Sequence, residues 1–395
     1  MEKINPLISQ KFLEAIKNQK IIIGVIIIAV IVVFIGWQMY EDKQGNSGSI
    51  KIGVAIAGTG EASEWGQGEF RVIQMYIDDL NARGGVNGKQ INLVVEDTKS
   101  TGVGTVDAVM KLIKVDKVPV IIGPTWGDSF QGGYPIAEDS KTVLLTPSAA
   151  LETVEDKEKF TYLFSTWWPQ LTEVQALQNF MLSHGIKNIF IVNDHDAFNT
   201  KVSDIFENAA KEKNLNIIGR EQIPIGQNDF RTIIIKAKQL KPDAIFVEMQ
   251  SVSNIGPFMK QAKELGLSAR VFSTSAGQNE DAVKKFKEAM ESFTYSFIKT
   301  PSGAVYDNFV KEYQAKYKQL PSGPSVLNTY NAIVALTEVL KSGAQTGTEI
   351  RDALYKVKVS GIGVPEVSFN SLGQINEADF EIRMVRDGQF ITVND

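Results

Sequence analysis

Apolar residues in this chain follow two rhythms that alternate from residue 50 onward. Short apolar runs occur at Ile52–Ala57, Ile91–Glu96, Val120–Ile122 and Val143–Thr146, and again at Asn188–Val192, Asn216–Gln222, Ala244–Glu248 and Arg270–Ser273. Between them lie longer stretches in which apolar positions recur every three or four residues: Gly66–Ala82, Gly102–Lys114, Leu171–His184, Thr200–Lys213, Asp229–Leu240 and Ile255–Leu265. The first rhythm is that of buried strands and the second that of amphipathic helices. Strands alternating with helices of this length predict an α/β fold with parallel sheets and right-handed crossovers. Such strands suit one barrel or two sheets. A pause in the rhythm at Phe160–Glu173, and a polar or Gly-rich loop after the first strand of each series, favour two sheets. Two further helices, Tyr306–Gln319 and Val326–Lys341, precede a terminal hairpin-like stretch.

Open parallel sheets bind ligands beyond the carboxyl ends of their strands. The loops to consider are therefore Gly58–Gly66, Gly123–Ser129, Pro147–Leu151, Asn193–Phe198, Met249–Asn254 and Ser275–Asn279. The first, Gly58-Thr59-Gly60, follows a strand and opens a helix, as a phosphate loop would. A dinucleotide fingerprint needs a third glycine where Ser63 stands, and no Gly-Lys-Ser/Thr triplet occurs. The general property of a helix N-terminus remains, with free N–H groups and a positive dipole end suited to a small ligand with a carboxylate or other acceptor.

The N-terminal pattern is different. Ile21–Trp37 carries no charge, and at ~1.5 Å per residue it just spans a ~30 Å hydrocarbon core. Trp37 and Tyr40 sit where an interfacial aromatic belt would place them. A cleaved signal peptide is the other reading, but the 20 preceding residues are long for its charged region and no Ala-x-Ala-like site follows. Lys3, Lys11, Lys17 and Lys20 precede the run, and Glu41 and Asp42 follow it. The positive-inside rule then keeps residues 1–20 in the cytoplasm, makes 21–40 a single transmembrane anchor, and leaves the rest extracellular or periplasmic. Residues 41–49 read as a polar linker.

Composition narrows the chemistry. The formal net charge is −5, without a basic cluster interleaved with aromatics, which argues against nucleic acid. The absence of cysteine removes thiol catalysis, disulfides and Cys-based metal sites, and two histidines leave little for a His-rich one. Asp194, His195 and Asp196 could suggest a base with carboxylate neighbours or a metal clutch. Adjacent loop residues rarely converge on one centre, and no Gly-x-Ser-x-Gly elbow exists. Neither an enzyme, a metal nor a cofactor is expected.

Several segments, in order, carry a family resemblance. IAGTGEASEWGQGEFRVIQMYIDDLNARGGVNGKQINLVVEDTKS resembles the start of type I periplasmic binding proteins of the leucine/isoleucine/valine class. Asn81, Gly84, Gly85, Val86, Asn87 and Gly88 match that family's turn, and Glu96-Asp97 its acidic strand end. VIIGPTWGD, LLTPSA, GIKNIFIVNDHDAF, DFRTIIIKAKQLKPDAIFVEMQ and PSGPSVLNTYNAIVAL fall in the family's order, so the similarity runs from Ile50 to Asp395. It implies two doubly wound lobes, 50–166 with 299–366 and 167–298 with 367–395. Three crossings are implied near Thr166–Pro169, Ser296–Pro301 and Gly361–Gly373. It also implies a non-catalytic binder that closes on a small polar solute, an amino acid or related compound, and delivers it to an ABC permease. A membrane-tethered ectodomain signalling through a partner chain is the alternative.

The resemblance also assigns ligand positions. Trp65 matches a tryptophan that some relatives place against the ligand's side chain, with packing between lobes as its other reading. The serine that binds the ligand carboxylate falls near Gly127, beside Asp128 and Ser129. Asp128 could pair with an ammonium or cap the following helix. Ser148 and Ala149 keep the backbone-binding geometry, whereas the family's threonine is Ala150. Phe198 holds a tyrosine position without the hydroxyl. Ala276 stands where a glutamate would pair with an ammonium. Gln250 and Ser251 lie in a ligand loop that could equally be solvated, and Trp126 has two readings, ligand stacking and core. Trp167 and Trp168 read as hinge packing.

Overall fold

The computed structural model describes residues 48–126, 131–249, 254–321, 324–376 and 378–393. Its first sheet takes strands β1 (Ile50–Ile56), β2 (Ile91–Asp97), β3 (Val120–Ile122), β4 (Val143–Thr146) and β5 (Leu163–Ser165), all parallel in the order β2-β1-β3-β4-β5. The second takes β6 (Asn188–Asp194), β7 (Asn216–Ile223), β8 (Ala244–Glu248), β9 (Arg270–Ser273), β10 (Thr294–Ile298), β11 (Phe380–Arg386) and β12 (Gln389–Val393). Its order is β12-β11-β10-β9-β8-β6-β7. The sheet is parallel except at one end, where β11 runs antiparallel to β10 and pairs with β12 as a hairpin, in the terminal stretch that read as hairpin-like. A hairpin needs only a short turn, so the chain's last residues can extend a sheet without another crossover helix.

In the first lobe, helices α1 (Ser63–Ala82), α2 (Gly102–Lys114) and α3 (Tyr134–Asp139) cover the sheet; in the second, α4 (Gln170–Ser183), α5 (Ala197–Glu212), α6 (Arg231–Leu240), α7 (Ile255–Glu264), α8 (Glu280–Lys285) and α9 (Lys287–Met290) do so. Three later helices, α10 (Ala304–Tyr317), α11 (Pro324–Lys341) and α12 (Gly347–Leu354), return to the first lobe. Both faces of each sheet are buried. Ile52, Val54 and Ile56 of β1 pack with Ile333 and Leu336 of α11, while Ala55, Ile121 and Leu144 pack with Val109 and Leu112 of α2. In the second lobe Phe190 and Val192 lie over α6 and α7, and Ile189 and Ile191 over α4 and α5. Two-sided burial is why these strands read as continuous apolar runs.

Local chemistry sets several boundaries. Asp196 accepts hydrogen bonds from the backbone N–H of Phe198 (2.9 Å) and Asn199 (3.1 Å), so α5 begins at Ala197, three residues before the expected Thr200. The Asn81–Gly88 turn closes through Asn81. Its amide donates to the Ile91 carbonyl and its oxygen accepts the Ile91 N–H, at 2.9 and 2.8 Å. Gly85 has φ 74°, and a Cβ there would meet the Lys89 carbonyl oxygen at 2.0 Å, so glycine is required. β5 and β10 lie in stretches where periodicity had not marked strands. Each is fully buried and short, and pairing with its neighbour decides its conformation.

The chain passes between lobes three times. It leaves the first after β5 and enters the second core with Trp167 and Trp168, then returns after β10 into α10. The last passage falls later than the 366/367 boundary and the Gly361–Gly373 crossing implied by the resemblance. Val367, Phe369 and Ile375 still pack in the first lobe, with Ile375 N–H donating to the Ser165 carbonyl, whereas Ala378 belongs to the second. Among the described residues no helix is long and apolar enough to cross a membrane. The expected cytoplasmic segment and anchor, residues 1–40, and most of the 41–49 linker lie outside those residues.

Phe206 of α5 stacks on Phe246 of β8 at 4.0 Å and 12°, both without exposure. Removing so large a buried ring costs about 3–5 kcal/mol. Phe206→Ala is expected to lower the urea midpoint of the second lobe accordingly, read by circular dichroism.

Candidate functional site

The glycine loop that opens the chain's first lobe is occupied from within. Gly58 and Thr59 N–H both donate to Asp97 Oδ1, at 2.9 and 3.2 Å, and the Thr59 hydroxyl donates to Asp97 Oδ2 at 2.7 Å. These donors are therefore spent on a carboxylate from the end of β2, and the expectation that they meet a ligand acceptor is corrected. What the loop does is place α1. Gly66 passes so close to β1 that a Cβ would lie 2.3 Å from the Ala57 carbonyl oxygen, and its neighbour Trp65 projects from the helix's first turn.

Trp65 is half-buried and packs against the core of the second lobe. Its ring lies 6.0 Å from Trp126 in an edge-on arrangement and 6.1 Å from Trp167, inclined by 29°. Trp167 stacks on Trp168 at 4.2 Å, and Trp168 meets Phe380 of β11 edge-on at 5.8 Å. Aromatic contact thus runs from the first lobe, through the first crossing, into the strand that follows the third. Trp126 has φ 66°, a left-handed conformation that costs a bulky residue of order 1–3 kcal/mol. Its N–H donates to Ser148 Oγ at 3.2 Å, which joins the loops after β3 and β4.

The other sequence-derived positions fall in several places. Ser148 is buried and held by that contact and by Thr146, whose hydroxyl oxygen accepts its N–H at 3.3 Å. Ala149 turns its side chain into the first lobe's core, and its carbonyl accepts from Ser165 Oγ at 2.7 Å. Phe198, in the first turn of α5, is half-buried against both cores of the second lobe. Ala276 occupies the short 3-10 turn Ser275–Gly277, capped by Thr274. Gly127, Asp128, Gln250 and Ser251 lie outside the described residues. Beside these loops a groove of about 500 Å³ separates the lobes, with Glu152 and Glu155 on one side and His195, Lys201 and Gln222 on the other. His195 is exposed, while Asp194 accepts from the Asn199 amide (2.7 Å) and Asp196 caps α5. The Asp194-His195-Asp196 run therefore does not converge on a reactive centre. Among the described residues no group of three His, Asp or Glu side chains could hold a metal ion.

Three buried carboxyl groups near these loops escaped the sequence reading. Glu69 of α1 accepts from the Thr125 hydroxyl at 2.7 Å, and that hydroxyl oxygen in turn accepts the Ala57 N–H at 3.1 Å. Glu248, the last residue of β8, accepts from the Thr274 hydroxyl at 2.6 Å and its N–H at 3.3 Å. Glu173 of α4 accepts from Ser275 N–H (2.6 Å), Trp168 Nε1 (2.7 Å) and Ser296 Oγ (3.1 Å). A signal did exist. Glu69 shares a helix stripe with Val72 and Ile73, at i+3 and i+4, and Glu248 ends an apolar run.

Burial pushes Glu69 up to about 7 and Glu248 to about 8, against the hydrogen bonds that favour their charged forms, and raises Glu173 as well. For Glu248 the neighbouring charges of Glu173 and Asp194 add to the rise. A carboxyl whose folded pKa exceeds its unfolded value binds its proton more tightly in the folded state. Its contribution is fully present below about pH 4.5 and is lost as pH rises through the folded value. Thermal unfolding temperature should therefore fall between about pH 5 and 8. Glu248→Gln, whose amide can donate to the Thr274 hydroxyl and whose carbonyl can accept its N–H, should flatten the upper part of that fall and be the more stable variant at pH 8. An unchanged pH profile would contradict the assignment.

Comparison with known proteins accords with this architecture. Residues 49–389 match the model of the periplasmic binding protein family. The leucine-, isoleucine-, valine-, threonine-, and alanine-binding protein of Pseudomonas aeruginosa is 23% identical over 341 residues, 85% of this chain and 89% of that one. Among solved structures, the branched-chain amino acid transporter substrate-binding protein LivJ of Streptococcus pneumoniae, in complex with isoleucine, superposes with a TM-score of 0.74 at 22% identity. That match covers 88% of this chain and 99% of the other. A solute-binding protein of an ABC transporter from R. palustris, in complex with benzoate, gives 0.73 at 17%, covering 88% and 96%. These relatives are solute-binding proteins rather than enzymes. Two α/β lobes joined by three crossings fit that likeness, and the chain belongs to the periplasmic binding protein family.

Proposed function

We propose that this chain is the solute-binding component of an ABC importer, which captures a small carboxylate-bearing solute between its lobes and delivers it to a permease. The observation that carries the reading is Trp65. It stands on the first helix of one lobe, packs on the core of the other, and touches the rings of Trp126 and Trp167. A side chain so placed can cover one face of a solute lying between the strand ends. Closing the lobes excludes water and strengthens each polar contact within. Micromolar binding needs ~8 kcal/mol, within reach of an aromatic contact, several charge-assisted hydrogen bonds and apolar burial. The relatives named for leucine, isoleucine and valine support a branched-chain amino acid as the solute.

A second reading has its own observation. Ala276 offers no charge where the resemblance implies an ammonium partner, and Trp65 and Trp126 meet edge-on near the strand-end loops of the first lobe, which suits an aromatic carboxylate such as the benzoate bound by the R. palustris relative. Residues 21–40 are proposed to anchor the protein, leaving the binding lobes outside the membrane, so that capture occurs beside the permease.

Two measurements test these statements. Residues 50–395 should gain thermal stability with L-isoleucine or L-leucine, by RT ln(1 + [L]/Kd), or about 2.7 kcal/mol at 100 Kd. Trp65→Ala should weaken that ligand's affinity tenfold or more, roughly 1.4 kcal/mol. Stabilisation by benzoate and not by either amino acid would establish the second reading, and equal binding by Trp65→Ala would remove this residue from the site. For the anchor, the full chain should stay with membranes through alkaline carbonate washing, whereas a chain lacking residues 1–49 should be released.

A further inference from the structure

Glu69 is a buried acid without a countercharge. It lies in the second turn of α1 with 1% of its surface exposed, and three other elements of the first lobe meet it. Thr125, in the loop after β3, donates its hydroxyl to Oε2 at 2.7 Å. Ser148, in the loop after β4, and Ser325, in the first turn of α11, bring hydroxyls close enough to favour the charged form. Oε1 has no partner at bonding distance. Among the described residues, every side chain that bears on its titration is thus a hydroxyl, and none is acidic or basic.

The same serine belongs to a loop with donors to spare. Ser148 Oγ accepts the Trp126 N–H at 3.2 Å, so its own hydrogen is left for another acceptor, and Glu69 lies beside it. The next two residues, Ala149 and Ala150, are buried, and their N–H groups meet no acceptor among the described residues. Gly58 and Thr59 differ, since Asp97 occupies theirs. Buried N–H groups are rarely left without an acceptor, so this loop suits a bound carboxylate. An anion seated there lies one serine hydroxyl away from Glu69.

We propose that Glu69 makes solute capture proton-linked: a carboxylate docked on the Ser148–Ala150 loop is accepted only with Glu69 neutral, so one proton enters with each anion. The inference rests on the proposed function in treating this loop as the carboxylate's place. Two like charges so close in a buried site disfavour one another, and no cation offsets them. The unpartnered Oε1 is the oxygen free to carry the proton. That proton comes from solvent on binding and returns to it on release, and the anion's charge is balanced. Burial already holds Glu69 at about 7. At pH 5 the proton is therefore in place before the solute arrives, whereas at pH 8 it must be acquired. Affinity should be level at low pH and fall by up to about tenfold per pH unit above about 7.

Calorimetric titration of the full chain with L-isoleucine, L-leucine and benzoate, in pairs of buffers that differ in ionisation heat, counts the protons. Uptake should be near zero at pH 5 and approach about one per solute at pH 8. Glu69→Gln keeps a carbonyl for the Thr125 hydroxyl and imitates the neutral acid, so it should bind without uptake and with an affinity that no longer varies over this range. Binding by the unaltered chain without uptake at pH 8 overturns the proposal and leaves the proposed function standing. Equal uptake in Glu69→Gln also overturns it, by assigning the proton to another acid such as Glu248. Absence of binding by all three carboxylates removes its premise and the proposal with it. Should Glu69→Gln fail to fold, Thr125→Val decides: it strips the donor that favours the charged form and should carry the onset of uptake to higher pH, and an unmoved onset rejects the linkage.

Discussion

Burial of ionisable groups without exposure is the constraint from which the site follows. Side chains packed beneath the loops at the strand ends are cut off from water, so a carboxyl group there must find donors inside the protein or keep its proton. Glu69, Glu173 and Glu248 each do one or both. Each is bonded to the loop that lies over it: Thr125 after β3, Ser275 after β9, and Thr274 from the same turn. The loops that a solute would meet are thus fixed from below by acids rather than left to their own conformational preference. Hydroxyl and backbone donors hold these acids without a countercharge, and the rise in their pKa values is the electrostatic cost of that arrangement.

Above this layer the tryptophans do different work. Trp167 and Trp168 fill space at the first crossing, while Trp65 stands on the first turn of α1 and Trp126 in the loop after β3, both in the first lobe. A single run of ring contacts joins the two groups. Packing at the first crossing and at the strand-end loops of the first lobe therefore shares one run of side chains. Trp126, held with positive φ by its bond to Ser148, is the point where the backbone itself is strained to keep a ring in place.

Much of the fold was legible because two-sided burial writes strands as apolar runs. Val120–Ile122, Val143–Thr146, Ala244–Glu248 and Arg270–Ser273 have the bounds read from the sequence. β5 was missed since three residues, one a serine, carry too little periodic signal, and only pairing with β4 and the bridge to Gln374 defines it. α12 escaped although Thr346 and Glu349 form a full capping box in plain sight. The last crossing was placed too early because Val367, Phe369 and Ile375 have no helix or strand rhythm, and only tertiary contact shows which core they join. At the site, the alternation of strands and helices marked the loops at the strand ends, and the family resemblance pointed to Trp65. It did not find the buried acids, for a charged residue within an apolar pattern looks like a solvated edge until its partners are known. The glycine loop misled in the other direction, since the acceptor for its N–H groups came from Asp97, some forty residues away in sequence.

The interleaving of the chain has a bearing on how the molecule is made. Neither half is a continuous piece: the first core waits for Ile333, Leu336 and finally Ile375, and the second for Ala378, Ile382 and Val385. A nascent polypeptide that has emerged as far as residue 298 therefore exposes one bare sheet face in its N-terminal half and lacks the edge hairpin of the other. Neither core can be completed until residues 375–385 have been made, so the chain before them stays short of its final packing for as long as their synthesis takes.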